Sequence, residues 1–189
     1  MKWTFVRAVG AAAILVSIAA SPASAQREAV HRGYWISFGL GAGNAFGDDA
    51  FEDDSRFGGA GFIRMGGSPS QQWLIGGELM GWANEVDDVT LTRGTAMFTA
   101  LFYPSRKGGF YLKGGAGFAG RTVFTTETID GRDVDVTEDT GGVGLGAGLG
   151  YDLQLARNFF LTPTLDFVYT GTEGDGATLL LFGVGVTWH

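Results

Sequence analysis

The chain has no cysteine, only two histidines and only four prolines among its 189 residues. Without cysteine there is no disulfide framework, no thiolate nucleophile and no thiolate metal site. Basic residues are also scarce: 13 Lys and Arg against 20 Asp and Glu give a formal charge of −7, which argues against nucleic acid as a partner. His31 precedes the first strand-like segment and His189 is the last residue, so no strand or long connection supplies a histidine base. His31 reads as an interfacial or periplasmic side chain, and no serine sits at an evident elbow beside a base. No catalytic set, cofactor site or metal site is expected. Amphipathic helical stretches are missing too, as is any apolar run of the roughly 20 residues that a spanning helix needs.

What is present begins with a targeting segment. Lys2 and Arg7 make a positive start, residues 8–20 a short apolar run, and Ala23, Ser24 and Ala25 a small-residue cleavage site. Residues 1–25 therefore read as a cleaved secretory signal, leaving one domain over residues 26–189 that begins at Gln26.

In that domain, apolar residues recur at every second position, the mark of strands with two different faces. In LLLFGVGVTWH, Leu180, Phe182, Val184, Val186 and Trp188 share one face; Leu181, Gly183, Gly185 and Thr187 share the other. The segments GYWISFGLGAG and GVGLGAGLGYDL alternate in the same way. Eight segments follow the pattern, over roughly 33–43, 58–66, 73–82, 94–103, 110–119, 141–152, 159–169 and 178–188. Most approach the 9–11 residues that a tilted strand needs to cross a bilayer. Odd-numbered connections (44–57, 83–93, 120–140, 170–177) are mostly long and acidic; SPSQQ, PSRKGG and QLARN between them are short. Long external loops alternating with short periplasmic turns predict an all-β, eight-stranded antiparallel up-and-down transmembrane β-barrel, with both termini periplasmic.

Glycine follows from that architecture. In FYLKGGAGFAG (110–120), Gly115, Gly117 and Gly120 match the dinucleotide fingerprint G-x-G-x-x-G. A cofactor cradle needs a helix to open directly afterwards. Instead the chain continues RTVFTTETIDGRDVDV, rich in β-branched residues with Asp130-Gly131 as a hairpin turn. The glycines are then inward positions of a narrow barrel, leaving room for a few larger polar groups.

Charge on the lipid face is costly, so charges within strands belong in the lumen. Arg64, Glu78, Lys113, Asp152 and Asp166 all fall opposite the more apolar set of their strands. Centring each hairpin on its connection brings Glu78 level with Lys113, with Arg64 lower as a competing partner and Asp152 nearer the periplasmic rim. Such a network is either a plug that satisfies buried charge or a gate that rearranges.

The connections hold Asp48, Asp49, Glu52, Asp53, Asp54, Glu85, Asp87 and Asp88, and the third adds Glu127, Asp130, Asp133, Asp135, Glu138 and Asp139. The Asp130, Asp133, Asp135 spacing does not match an EF-hand. These acids read as solvated loop ends, with divalent cations bridging them to anionic lipid as the looser alternative.

On GYWISFGLGAG, FYLKGGAGFAG, GLGYDLQLARNFFLTPTLDF and LLLFGVGVTWH, the chain resembles the small eight-stranded outer-membrane β-barrel proteins: outer membrane protein X-, W- and A-type barrels and opacity-like proteins. The resemblance implies an integral, monomeric protein of a Gram-negative outer membrane, in contact with its lipid and lipopolysaccharide. It implies a non-enzymatic structural or surface-interaction role through the external loops, with a narrow porin-like channel for small or hydrophobic solutes as the alternative. The family usually ends on an aromatic residue; here Trp188 is followed by His189. The peptidoglycan-binding domain of larger A-type proteins is not expected. Nor is the activity of lipid A-modifying barrels, which rests on a histidine near the outer rim.

Overall fold

A computed structural model describes residues 31–47, 55–86, 89–129, 132–172 and 175–189. The expected signal segment and Gln26 lie outside the described residues, as do Asp48, Asp49, Glu52, Asp53, Asp54, Asp87, Asp88 and Asp130. Alternation of aliphatic or aromatic residues with glycine, threonine and small residues yields nine strands. They are β1 (Gly33–Phe46), β2 (Ser55–Ser70), β3 (Trp73–Val86), β4 (Val89–Phe102), β5 (Phe110–Ile129), β6 (Arg132–Tyr151), β7 (Leu153–Ala156), β8 (Phe159–Thr172) and β9 (Asp175–Trp188). Apart from β6 and β7, consecutive strands pair antiparallel, and β9 pairs back onto β1, with Ile36 opposite Trp188, so the sheet closes. β6 and β7 both pair with β8 and form one wall strand broken at Asp152, which makes the barrel eight-stranded. No helix occurs among the described residues, and β5 runs straight through Gly115, Gly117 and Gly120.

The His31 and His189 rings lie 4.7 Å apart, so both described ends share one rim, termed here the terminal rim. Strands reach beyond the predicted segments mainly at the opposite, far rim. The largest difference concerns residues 120–140, expected as a long connection with a hairpin turn at Asp130-Gly131. Ile129 stands opposite Arg132, so nearly all of that stretch is a two-stranded hairpin. The physical reason is that β-branched residues favour extended backbone with or without apolar alternation. Acidic residues in the stretch therefore do not mark an absence of regular structure. Asp133 and Asp135 accordingly belong to β6.

Outside, Leu40 is 78 % and Phe118 77 % exposed, within an apolar belt that includes Phe38, Leu79, Phe98, Leu145, Phe167 and Phe182. Tyr34, Trp73, Phe110, Phe159 and Trp188 ring the belt near the terminal rim; Phe46, Phe57, Phe124 and Tyr169 ring it near the far rim. A belt bounded by two aromatic girdles is what hydrocarbon between two interfaces selects.

Inside, the lumen is filled in layers. Trp35, Leu74, Leu101, Tyr103 and Tyr111 pack near the terminal rim. Nearer the far rim Ala45, Met80, Trp82, Leu91, Met97, Val168, Leu179 and Leu181 form a second apolar layer. Trp82 donates its indole N–H to the carbonyl of Gly43 at 3.1 Å, and its ring fills space that a Cβ on Gly58 would need. A Cβ on Gly43 would itself strike the carbonyl of Leu180.

Candidate functional site

Four inward charges meet at one level between the two apolar layers. Arg64 on β2 stands opposite Glu78 on β3 in the ladder. Its Nε donates to Glu78 Oε2, and its Nη2 donates to Asp166 Oδ2 on β8 at 2.9 Å. Lys113 on β5 donates to both Glu78 oxygens, at 2.9 and 2.7 Å, and its Nζ lies 2.6 Å from Asp166 Oδ1. All four residues are buried. Each cation therefore touches both anions, and the formal charges cancel. Good geometry and full pairing are what allow charges to persist away from water.

Register explains the closure. Lys113 lies opposite Gly148 across β5 and β6, and Gly148 lies opposite Asp166 across β6 and β8. With no side chain at Gly148, Lys113 and Asp166 meet over it. One inward step along β6, Gly150 lies under the Tyr111 ring. Arg64 is held from the side as well: its guanidinium carbon is 3.9 Å from the Phe62 ring centroid, and its Nη1 is 3.5 Å from the Tyr111 hydroxyl. Arg64 and Lys113 do not compete for Glu78, because Asp166 supplies a second carboxylate to both.

Asp152 stands apart from this ring, at the break between β6 and β7 on the terminal rim. Its Oδ2 accepts from the Tyr103 hydroxyl at 2.7 Å and its Oδ1 from Thr162 Oγ1 at 2.7 Å. Thr162 Oγ1 is 2.9 Å from Thr187 Oγ1, which reaches Ser37 Oγ at 2.9 Å, so a polar chain crosses from β8 through β9 to β1. The Nε2 atoms of His31 and His189 each lie 3.8 Å from Asp152 Oδ2. Burial works to raise the Asp152 pKa, but the imidazoles and the two hydroxyl donors outweigh it, and the carboxyl stays well below its usual range. Burial, followed by the adjacent Asp152 charge, pushes the Tyr103 hydroxyl well above its usual range. Burial likewise lowers the pKa of His189.

Of the acidic connection residues within the described chain, Glu85 is exposed on β3 and Asp139 is exposed on β6, accepting from Thr122 Oγ1 at 2.7 Å. Sequence reasoning missed His31, Tyr103, Tyr111, Thr162 and His189. The signal for the histidines lay in topology: closing a barrel of even strand number sets the residues before its first strand beside those after its last.

The closed antiparallel wall agrees with comparisons against known proteins. Residues 11–189 match the family model described as outer membrane protein beta-barrel domain. A search of curated protein sequences finds no match. Among solved structures, the chain is similar to Ail, the attachment invasion locus protein of Yersinia pestis, in complex with the heparin analogue sucrose octasulfate. The TM-score is 0.62 at 14 % identity, covering 84 % of this chain and all of that one. Neisserial surface protein A follows with a TM-score of 0.55 at 14 % identity, over 82 % of this chain and 95 % of that one. The outer membrane protein OprG of Pseudomonas aeruginosa gives 0.53 at 12 % identity, over 85 % and 98 %. At such identities the structures share the fold alone. With the family model spanning nearly the whole sequence, the chain belongs to the outer membrane protein β-barrel domain family, an integral protein of the outer membrane.

Proposed function

We propose that this protein is a plugged, non-enzymatic barrel that acts through its far rim, where acidic connections and the β5–β6 hairpin meet anionic surface lipid through bridging divalent cations. Residues 1–25 serve as its secretory signal, both termini lie in the periplasm, and the barrel is a monomer. The observation that carries this reading is the lumen. The ring of Arg64, Glu78, Lys113 and Asp166 has no unspent charge, and an apolar layer built on Trp82 covers it. Together they favour the plug over the gate.

Among the described residues, the β5–β6 hairpin is the longest extension at the far rim. Val89 is opposite Thr125, and Gly142 is opposite Thr172. Beyond these pairs, among the described residues, the two arms of the hairpin pair only with each other. Asp48, Asp49, Asp53, Asp54, Asp87, Asp88, Asp130, Asp133 and Asp135 lie in or beside the far-rim connections, and a sulfated polyanion would be repelled there. Lipopolysaccharide phosphates need a divalent ion between the two negative surfaces, and carboxylate clusters suit such a hard cation.

The test compares the refolded barrel with a variant whose residues 126–135 are replaced by an Asn-Gly turn, both in zwitterionic nanodiscs. Vesicles bearing lipopolysaccharide should dock to the intact protein in magnesium, release it in chelator, and fail to dock to the variant. Equal docking by both would overturn the proposal.

A further inference from the structure

The geometry points to a second site, at the terminal rim: we propose that His31, Asp152 and His189 bind one divalent transition-metal ion of the zinc class. One ligand atom from each residue lies within 4.8 Å of the other two. Two imidazoles and one carboxylate suit zinc and its neighbours, and poorly suit calcium or magnesium, which take oxygen donors. Donors held about 2.0–2.1 Å from a tetrahedral ion stand about 3.3 Å from one another. The two imidazole-to-carboxylate distances of 3.8 Å lie within reach of that by small side-chain rotations.

Unsatisfied donor atoms support the assignment independently. His31 is fully buried, yet its Nε2 has no hydrogen-bond partner among the described residues, and the same holds for both ring nitrogens of His189. Buried polar atoms are normally paired, and one nitrogen without a hydrogen bond from each ring, both beside one carboxylate, leaves two lone pairs for a cation to accept. The outer contacts are arranged as such a ligand set requires. His31 Nδ1 lies 3.3 Å from the carbonyl of Gln71, which fixes the proton on Nδ1 and turns the lone pair of Nε2 toward Asp152. Tyr103 and Thr162 donate to the carboxylate and orient it. The Tyr103 ring, with its centroid 4.0 Å from that of His31, holds the imidazole in place.

The three ligands come from the segment before β1, the break between β6 and β7, and the residue after β9. An ion there would pin the segment before β1 to the residue after β9, where the barrel closes. This site is independent of the far rim, and its success or failure leaves the reading of that rim unchanged.

The test uses the refolded full barrel without a histidine tag. Zinc is added at one equivalent and retained metal is measured after gel filtration; cobalt is added in parallel as a spectroscopic probe. One zinc per barrel is expected, with an intense visible cobalt band typical of four-coordinate nitrogen and oxygen ligation. His31→Gln and His189→Gln should each weaken zinc binding by roughly tenfold or more while the heat-dependent gel shift of the folded barrel persists. Zinc uptake that is unchanged in both variants would assign the ion to the acidic connections and overturn the site. No uptake by the parent protein would overturn it too, leaving two imidazoles packed on a carboxylate.

Discussion

Lys113 and Asp166 meet, Nζ to Oδ1 at 2.6 Å, across a wall strand that contributes only Gly148 between them. A Cβ at that position would press on the Asp166 carboxylate and on the Leu165 carbonyl. Gly148→Val should therefore push Asp166 out of the ring and destabilise the barrel by about 2–4 kcal/mol, the order of a broken buried ion pair. Gly141→Ala, where an added methyl meets no neighbouring atom within 4 Å, should be near neutral. Urea unfolding in detergent micelles, followed by tryptophan fluorescence, separates the two.

Neutralising one member of the ring should cost more than neutralising a balanced pair. Glu78→Gln leaves Arg64 and Lys113 facing Asp166 alone, and a loss of about 3–5 kcal/mol is expected. Glu78→Gln combined with Lys113→Met leaves the Arg64–Asp166 pair, whose 2.9 Å contact is intact and electrically balanced. The double variant should be more stable than the sum of the two single losses predicts. A double-mutant cycle with no coupling would show that the four groups do not act as a unit.

The wild-type barrel should be silent in a planar bilayer. Glu78→Gln by itself should stay silent as well, since the layer of Trp82, Leu91, Leu179 and Leu181 still closes the lumen above the ring. Discrete conductance steps should emerge only when both apolar layers are opened as well, by Trp82→Gly and Trp35→Gly together. Steps in the single variant would mean that the ring is a gate.

A protease site placed between Ile129 and Arg132 should be cut on intact cells. The same site placed in the 104–109 connection should be cut only after the outer membrane is permeabilised. The reverse pattern would invert the orientation proposed for the termini.

Trimming the hairpin also has a structural limit. Replacing residues 126–135 by a two-residue turn should preserve the heat-dependent gel shift. Removing 121–139 should not, because residues 121–125 are the ladder partners of β4 from Arg93 to Val89.

The barrel was legible in the sequence because lipid imposes a strict rule: every second residue must be apolar, and Phe118 or Leu40 obeys it whatever the neighbouring strand does. Inward parity was legible for the same reason, which is how Arg64, Glu78, Lys113, Asp152 and Asp166 came to be singled out. Partnership was legible in part: centring the hairpins sets Glu78 level with Lys113 and near Arg64, and Glu78 accepts from both. The place of Asp166 was not, because its meeting with Lys113 over Gly148 depends on the stagger of β5, β6 and β8, and stagger leaves no trace in a single strand's pattern. The far-rim hairpin is legible at its turn but not in its length: Asp133, Asp135, Glu138 and Asp139 signal water, and water is compatible with a strand once the strand has left the bilayer. His31 and His189 carried no local signal; their proximity follows only from closing the sheet.

The ring's members come from strands far apart in the chain: Arg64, Glu78 and Lys113 from β2, β3 and β5, and Asp166 from β8. A wall with β2, β3 and β5 in place but without β8 therefore leaves two of the ring's cations facing one anion. The balance of the ring thus belongs to the closed barrel and to no run of neighbouring strands: the same step that completes the wall completes the charge inside it.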